Sequence, residues 1–155
     1  MSRKILVPIE LTHYSINVLK FAQSVSEKGD ELVLLHVVLD PSEFAGFHVP
    51  HVSMEMSREE LMRDAREKME KFVSHNAKGI PYLLEFGFPF KVILEVAERE
   101  KVDLIVIGSK EGAGRMEHIF VRGTSRKVQR DAPCEVKVVL LPLMSEEELQ
   151  DSPEY

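Results

Sequence analysis

Two short runs of this chain constrain its fold more than anything else in it. Leu32-Val33-Leu34-Leu35-His36-Val37-Val38 and Leu104-Ile105-Val106-Ile107 are apolar at nearly every successive position. Side chains of a strand alternate between the two faces of a sheet, so such runs require cover on both sides. Strands of that kind belong to parallel sheets sandwiched between helices.

The rest of the pattern supplies the helices. Ile5-Leu6-Val7-Pro8-Ile9 reads as a first strand, and Val18, Leu19, Ala22 and Val25 follow at helical spacing until Gly29-Asp30 interrupts them. Asp40 to Met56 has no period and reads as a long loop, a candidate lid. Ser57 stands three residues before Glu60, a capping-box spacing, and Leu61, Ala65, Met69, Phe72 and Val73 then share a helix face. Ile80–Phe86 is expected as a strand, Pro89 as the opening of a helix with Val92, Ile93, Val96 and Ala97 inside, Ser125–Arg130 as a short helix, and Val136–Leu141 as the last strand. Alternating strands and helices predict an α/β fold: an open, mostly parallel five-stranded sheet with helices on both faces and right-handed crossovers.

At 155 residues, 44% of them hydrophobic, the chain has enough material for one core, burying about 70% of the unfolded surface. One domain over 1–142 and an acidic, flexible tail over 143–155 are expected. The tail carries Glu146, Glu147, Glu148, Asp151 and Glu154 and no basic residue, and so accounts for five of the six net negative charges. No apolar stretch approaches the roughly 20 residues of a membrane span, and Met1 leads directly into the first strand. With a single cysteine, Cys134, this makes the cytoplasm the expected compartment and a packed thiol the expected state.

In an open sheet of order 3-2-1-4-5 the ligand crevice lies beyond the carboxyl ends of strands 1 and 4, where the winding reverses. The loops leaving those strands begin at Glu10 and Gly108, and the second, GSKEGAGRMEHIFVRGTS over 108–125, holds the glycine cluster of the chain. Backbone amides of such a loop and of the helix start at Gly123-Thr124-Ser125 favour phosphate; a plain connection ending in a capped helix is the other reading.

The opening KILVPIELTHYS, the LLHVV strand, the segment GFPFKVILEVAEREKVDLIVIGS and the ending GTSRKVQRDAPCEVKVV together resemble the universal stress protein family over nearly the whole chain. The resemblance implies a Rossmann-like domain, a homodimer formed through strand 136–141, and either an ATP- or AMP-binding crevice or an empty one. The family's binding signature is G-x2-G-x9-G followed by Ser or Thr. Gly108, Gly123 and Thr124 match its ends, but the stretch between is two residues longer and puts Ala113, flanked by Gly112 and Gly114, at the middle position. Glu10-Leu11-Thr12 stands where relatives commonly have Asp-Gly-Ser, so the bulk of Leu11 is expected to restrict the pocket. By similarity, the backbone at Pro8, Ile9 and Val37 would meet the base, Glu10 a ribose hydroxyl or Mg²⁺, and Gly112, Gly114, Gly123, Thr124 and Ser125 the phosphates.

Arg115, Arg122, Arg126, Lys127 and Arg130 form a basic stretch without interleaved stacking aromatics, which argues against nucleic acid and for pairing with the protein's own acids or steering of phosphate. His48 and His51 lack the further ligands a metal needs, His36 ending its strand reads as structural, and His118 has no nucleophile beside it. No serine elbow, catalytic carboxylate pair or HExxH helix is present, so turnover beyond slow ATP hydrolysis is not expected. The expectation is a nucleotide-dependent module acting on a protein partner; the alternative is a dimeric scaffold of the same fold with an empty pocket.

Overall fold

The computed structural model describes residues 2–12, 14–44, 56–110 and 123–141. Five strands, β1 (Lys4–Pro8), β2 (Glu31–Leu39), β3 (Tyr82–Gly87), β4 (Leu104–Lys110) and β5 (Glu135–Leu141), alternate with helices α1 (Tyr14–Val25), α2 (Arg58–Asn76), α3 (Pro89–Arg99) and α4 (Thr124–Asp131). The sheet runs β3-β2-β1-β4-β5, every neighbouring pair parallel, as the alternation predicts.

The apolar runs do what their composition requires. Along β4, Leu104 and Val106 enter one core with Ile5, Val7, Leu19 and Phe72, while Ile105 and Ile107 enter a second with Leu6, Ile93, Val96 and Val128. The first core lies beneath α1 and α2, the second beneath α3 and α4. Each fully buried side chain of this size stabilises by about 1.5–3 kcal/mol relative to exposure, and that two-sided cover is what keeps the central strands in register.

Local chemistry sets the helix starts. Ser57 Oγ accepts the Glu60 amide at 3.2 Å, capping α2, and Pro89 occupies the first turn of α3, where no amide is needed. Strand β3 begins two residues later than the pattern predicts. The turn bond from the Ile80 amide to the Ala77 carbonyl still holds Ile80, and Pro81 has no amide to give a ladder, although its carbonyl accepts from Leu34 at 3.0 Å. The expected loop from Asp40 opens with a 3₁₀ turn, Pro41–Phe44, in which Asp40 accepts from both the amide and the hydroxyl of Ser42. The rest of that loop and the acidic tail lie outside the described residues. Among the described residues no helix is long and apolar enough to cross a membrane.

Candidate functional site

The winding reverses between β1 and β4, and the chain is pinned where it leaves β1. The Ile9 amide donates to the Leu35 carbonyl at 2.8 Å, and the Ile9 carbonyl accepts from His36 Nδ1 at 2.9 Å. Burial, foremost, lowers the His36 pKa and keeps its ring neutral for this bond. His36 is therefore structural, as expected, but it does not end its strand, since β2 runs on to Leu39.

Beyond Ile9 the chain turns sharply. Leu11 takes φ 63°, a left-handed conformation costly for a branched L-residue, by about 1–2 kcal/mol. Its side chain does not enter the pocket, contrary to the expectation that it would narrow it. It is buried in the first core with Tyr14 and Val18, and that burial offsets the strain. The Thr12 amide then donates to Ser15 Oγ at 3.1 Å and the Ser15 amide to the Thr12 carbonyl at 2.9 Å, closing the turn into α1.

This turn forms one wall of a small open cleft with a volume of about 20 Å³, lined by Pro8, Ile9, Glu10, Thr12, Tyr14, Ser15, Val18, Gly108 and Leu141. Glu10 is its chemical centre. Its Oε1 is sealed from solvent and has no hydrogen-bond partner among the described residues, and burial raises its pKa well above the ordinary value. In its protonated form the carboxyl both donates and accepts, which suits a hydroxyl-bearing ligand. It suits a protein-held Mg²⁺ less well, because the ion needs an ionised carboxylate and several oxygen ligands, and no group of three metal-binding side chains occurs among the described residues.

Gly108 lines the same cleft, for a steric reason the glycine pattern did not reveal. A Cβ there would lie 2.9 Å from both Leu141 Cδ1 and Val18 Cγ2, so the residue is glycine because β5 and α1 close over it. Gly123 differs: its φ of 86° selects glycine while nothing crowds it, and its carbonyl accepts the Lys127 amide at 3.0 Å. Thr124 and Ser125 open α4, with Thr124 buried. Neither they nor Gly123 lines the cleft, and the Val37 side chain lies in the second core. Gly112 and Gly114, like Arg115, Arg122, His13, His48, His51 and His118, lie outside the described residues.

The structure thus brings Pro8, Ile9, Glu10 and Gly108 together. It adds Thr12, Tyr14, Ser15, Val18 and Leu141, which sequence reasoning did not place there. The spacing of Thr12 and Ser15 before an amphipathic helix was a usable signal; Val18 and Leu141 read only as core. Of the basic stretch, Arg130 pairs with Asp131 at 2.9 Å, the plainer of its two readings. Cys134 is half-buried, and burial, with Asp103 and Glu135, pushes its thiol pKa up, away from reactivity.

The comparisons agree with this architecture. A model of the universal stress protein family matches residues 1–139. Universal stress protein MJ0531 of Methanocaldococcus jannaschii is 30% identical over 143 residues, 90% of this chain and 83% of that protein. Among solved structures, hypothetical protein MJ0577 superposes with a TM-score of 0.67 at 25% identity, covering 92% of this chain and 98% of its own. A universal stress protein family protein of Arabidopsis thaliana, At3g01520, solved with AMP bound, gives 0.56 at 18% identity, covering 96% and 97%, a likeness of fold alone. From residue 1 to residue 139, the chain belongs to the universal stress protein family.

Proposed function

We propose that the cleft beyond β1 and β4 binds an adenine nucleotide, ATP or AMP, and that occupancy alters recognition of a protein partner. One observation carries this reading: Glu10, half-buried, lines a cleft at the topological switch point with one carboxylate oxygen, Oε1, sealed from solvent and without a partner among the described residues. An orphaned buried polar group costs about 1–3 kcal/mol, and a ligand hydroxyl would recover it. The relative solved with AMP shows that this fold can hold such a ligand. Glu10 is assigned to the ribose, and any Mg²⁺ would be held chiefly by the nucleotide's own phosphates. Binding is the chemistry, and hydrolysis at most a slow side reaction.

Protein purified without added nucleotide and quenched in acid should release ATP or AMP in proportion to its concentration. Calorimetry on stripped protein should then show adenosine nucleotides binding, with 2′-deoxy analogues weaker. A stripped protein that is folded and indifferent to both nucleotides would leave the scaffold alternative.

That alternative has its own support in the edge strand β5. Leu140 is 63% exposed there, and Val136, Val138 and Val139 are only half-covered. One row of its backbone groups faces outward, a template for pairing. We assign a homodimer to this edge, its two copies of β5 related by a two-fold axis. Val139→Pro removes an amide from that edge, and light scattering should report monomers or aggregates where the wild type gives dimers. A wild type that stays monomeric at high micromolar concentration sinks the assignment.

A further inference from the structure

Each of the four helices starts at the carboxyl edge of the sheet, and three carry a cation in the first turn, where the helix dipole favours an anion. Arg58 opens α2, Lys91 lies in the first turn of α3, and Lys127 in that of α4; α3 and α4 have no acidic residue in that turn. All three stand on aromatic rings: Arg58 at 4.7 Å over Phe86, Lys91 at 6.0 Å over Phe88, and Lys127 at 5.3 Å over Phe90. Phe88 and Phe90 meet edge to face at 6.3 Å, which joins Lys91 and Lys127 into one cation–aromatic cluster; Arg58 on Phe86 lies at the same carboxyl edge, where β3 ends. Among the described residues Arg58, Lys91 and Lys127, like several other surface cations, are in no ion pair with a carboxylate.

The complementary charge belongs to the same chain and starts at the same edge. Leu141, which ends β5, is buried against Gly108 in the cleft wall. The following residues, 142–155, contain five carboxylates and no cation, with Leu143, Met144, Leu149 and Tyr155 interspersed. Fourteen residues reach up to about 46–50 Å when extended, against a radius of gyration near 15 Å for a domain of this length. We propose that the acidic segment 143–155 docks in cis on the cation–aromatic rim of Arg58, Phe86, Phe88, Phe90, Lys91 and Lys127, and there competes with polyanions approaching the cleft. The tether supplies an effective concentration in the millimolar range, which makes individually weak surface contacts sufficient. The docking is independent of nucleotide binding; only its regulatory consequence rests on the function proposed above.

The test uses the full-length chain without nucleotide. Neutralising the tail with Glu146→Gln, Glu147→Gln, Glu148→Gln and Asp151→Asn should shift the ¹⁵N–¹H resonances of Arg58, Phe90, Lys91 and Lys127 at 20 mM salt. At 0.5 M salt, which screens exposed charges, the two spectra should coincide at the rim. Lys91→Gln with Lys127→Gln should shift the tail's own amides in the reverse experiment. With inorganic tripolyphosphate as probe, the neutralised tail should raise affinity about 3- to 10-fold at low salt. Rim resonances that ignore the tail charges overturn the proposal, and shifts that scale with protein concentration overturn docking in cis. Rim shifts in a protein that binds no ATP would uphold the docking and defeat only the nucleotide reading.

Discussion

The two edges of the sheet are built in opposite ways. At the amino edge polar groups are held. Asp30 accepts from the amides of Arg3 and Glu27, both at 2.9 Å, and from the Arg3 guanidinium at 2.9 and 3.2 Å. Asp103 accepts the Lys4 amide at 2.8 Å and returns its own amide to the Lys4 carbonyl at 2.8 Å. At the carboxyl edge Leu11 is in a strained conformation, Glu10 Oε1 is buried without a partner, and cations sit at helix starts. Local stability is satisfied at one edge and conceded at the other, the pattern expected where a site must stay available to a ligand.

The largest effect should come from Leu11, where core burial and backbone strain oppose each other. Leu11→Ala removes a buried side chain at a cost of about 2–5 kcal/mol and keeps the strain. Leu11→Gly removes those atoms and the Cβ as well but adopts positive φ freely, so it should be less damaging by about 1 kcal/mol. Denaturant melts of the two variants measure the difference. Equal losses would mean that the turn at Leu11 is unstrained, and the contrast between the edges would weaken.

The same residue marks the limit of what the sequence made legible. Continuous apolar runs specified strands covered on both faces, and helical periodicity supplied the cover, so the layered parallel sheet and its core followed from pattern. Glu10 and Gly108 were legible as residues of the cleft because a switch point lies at the ends of particular strands. Leu11 was not, because its direction depends on a single dihedral angle that no periodicity reports. The crowding of Gly108 by Val18 and Leu141 was hidden for a related reason: it joins segments far apart in sequence, and a glycine needed for close packing looks the same in one dimension as a glycine facing phosphate.

A smaller and oppositely signed effect is expected at Glu10. Burial raises its folded-state pKa above the ordinary 4.5, so above pH 4.5 the unfolded chain releases a proton that the folded chain retains. Stability attributable to this group therefore falls as pH rises from 4.5 toward the folded value. Glu10→Gln lacks the titration. Its thermal midpoint should exceed that of the wild type at pH 8, and the gap should narrow steadily toward pH 4.5. A gap independent of pH would mean that the carboxyl is not held neutral, and the donor role toward a ribose would go with it.

The smallest effect should come from the amino edge, where the sign reverses. The Glu27 amide, then the Arg3 amide, then the Arg3 guanidinium lower the Asp30 pKa from 3.8 to about 2. A carboxyl depressed in this way stabilises the fold at every pH above its ordinary value and loses that contribution as pH falls through the folded value. Asp30→Asn keeps one acceptor oxygen but turns an NH₂ toward groups that can only donate. The wild type should therefore melt higher than Asp30→Asn by a constant margin from pH 8 down to about pH 4, and the margin should shrink between there and pH 2. Arg3 is partly exposed, so water screens its share of the attraction, which is why this margin ranks below the other two. Moderate salt should reduce only that share, leaving what the two backbone amides contribute. A margin already gone at pH 5 would show that Asp30 titrates near its ordinary value, and the amino edge would then be no better held than the edge that carries the cleft.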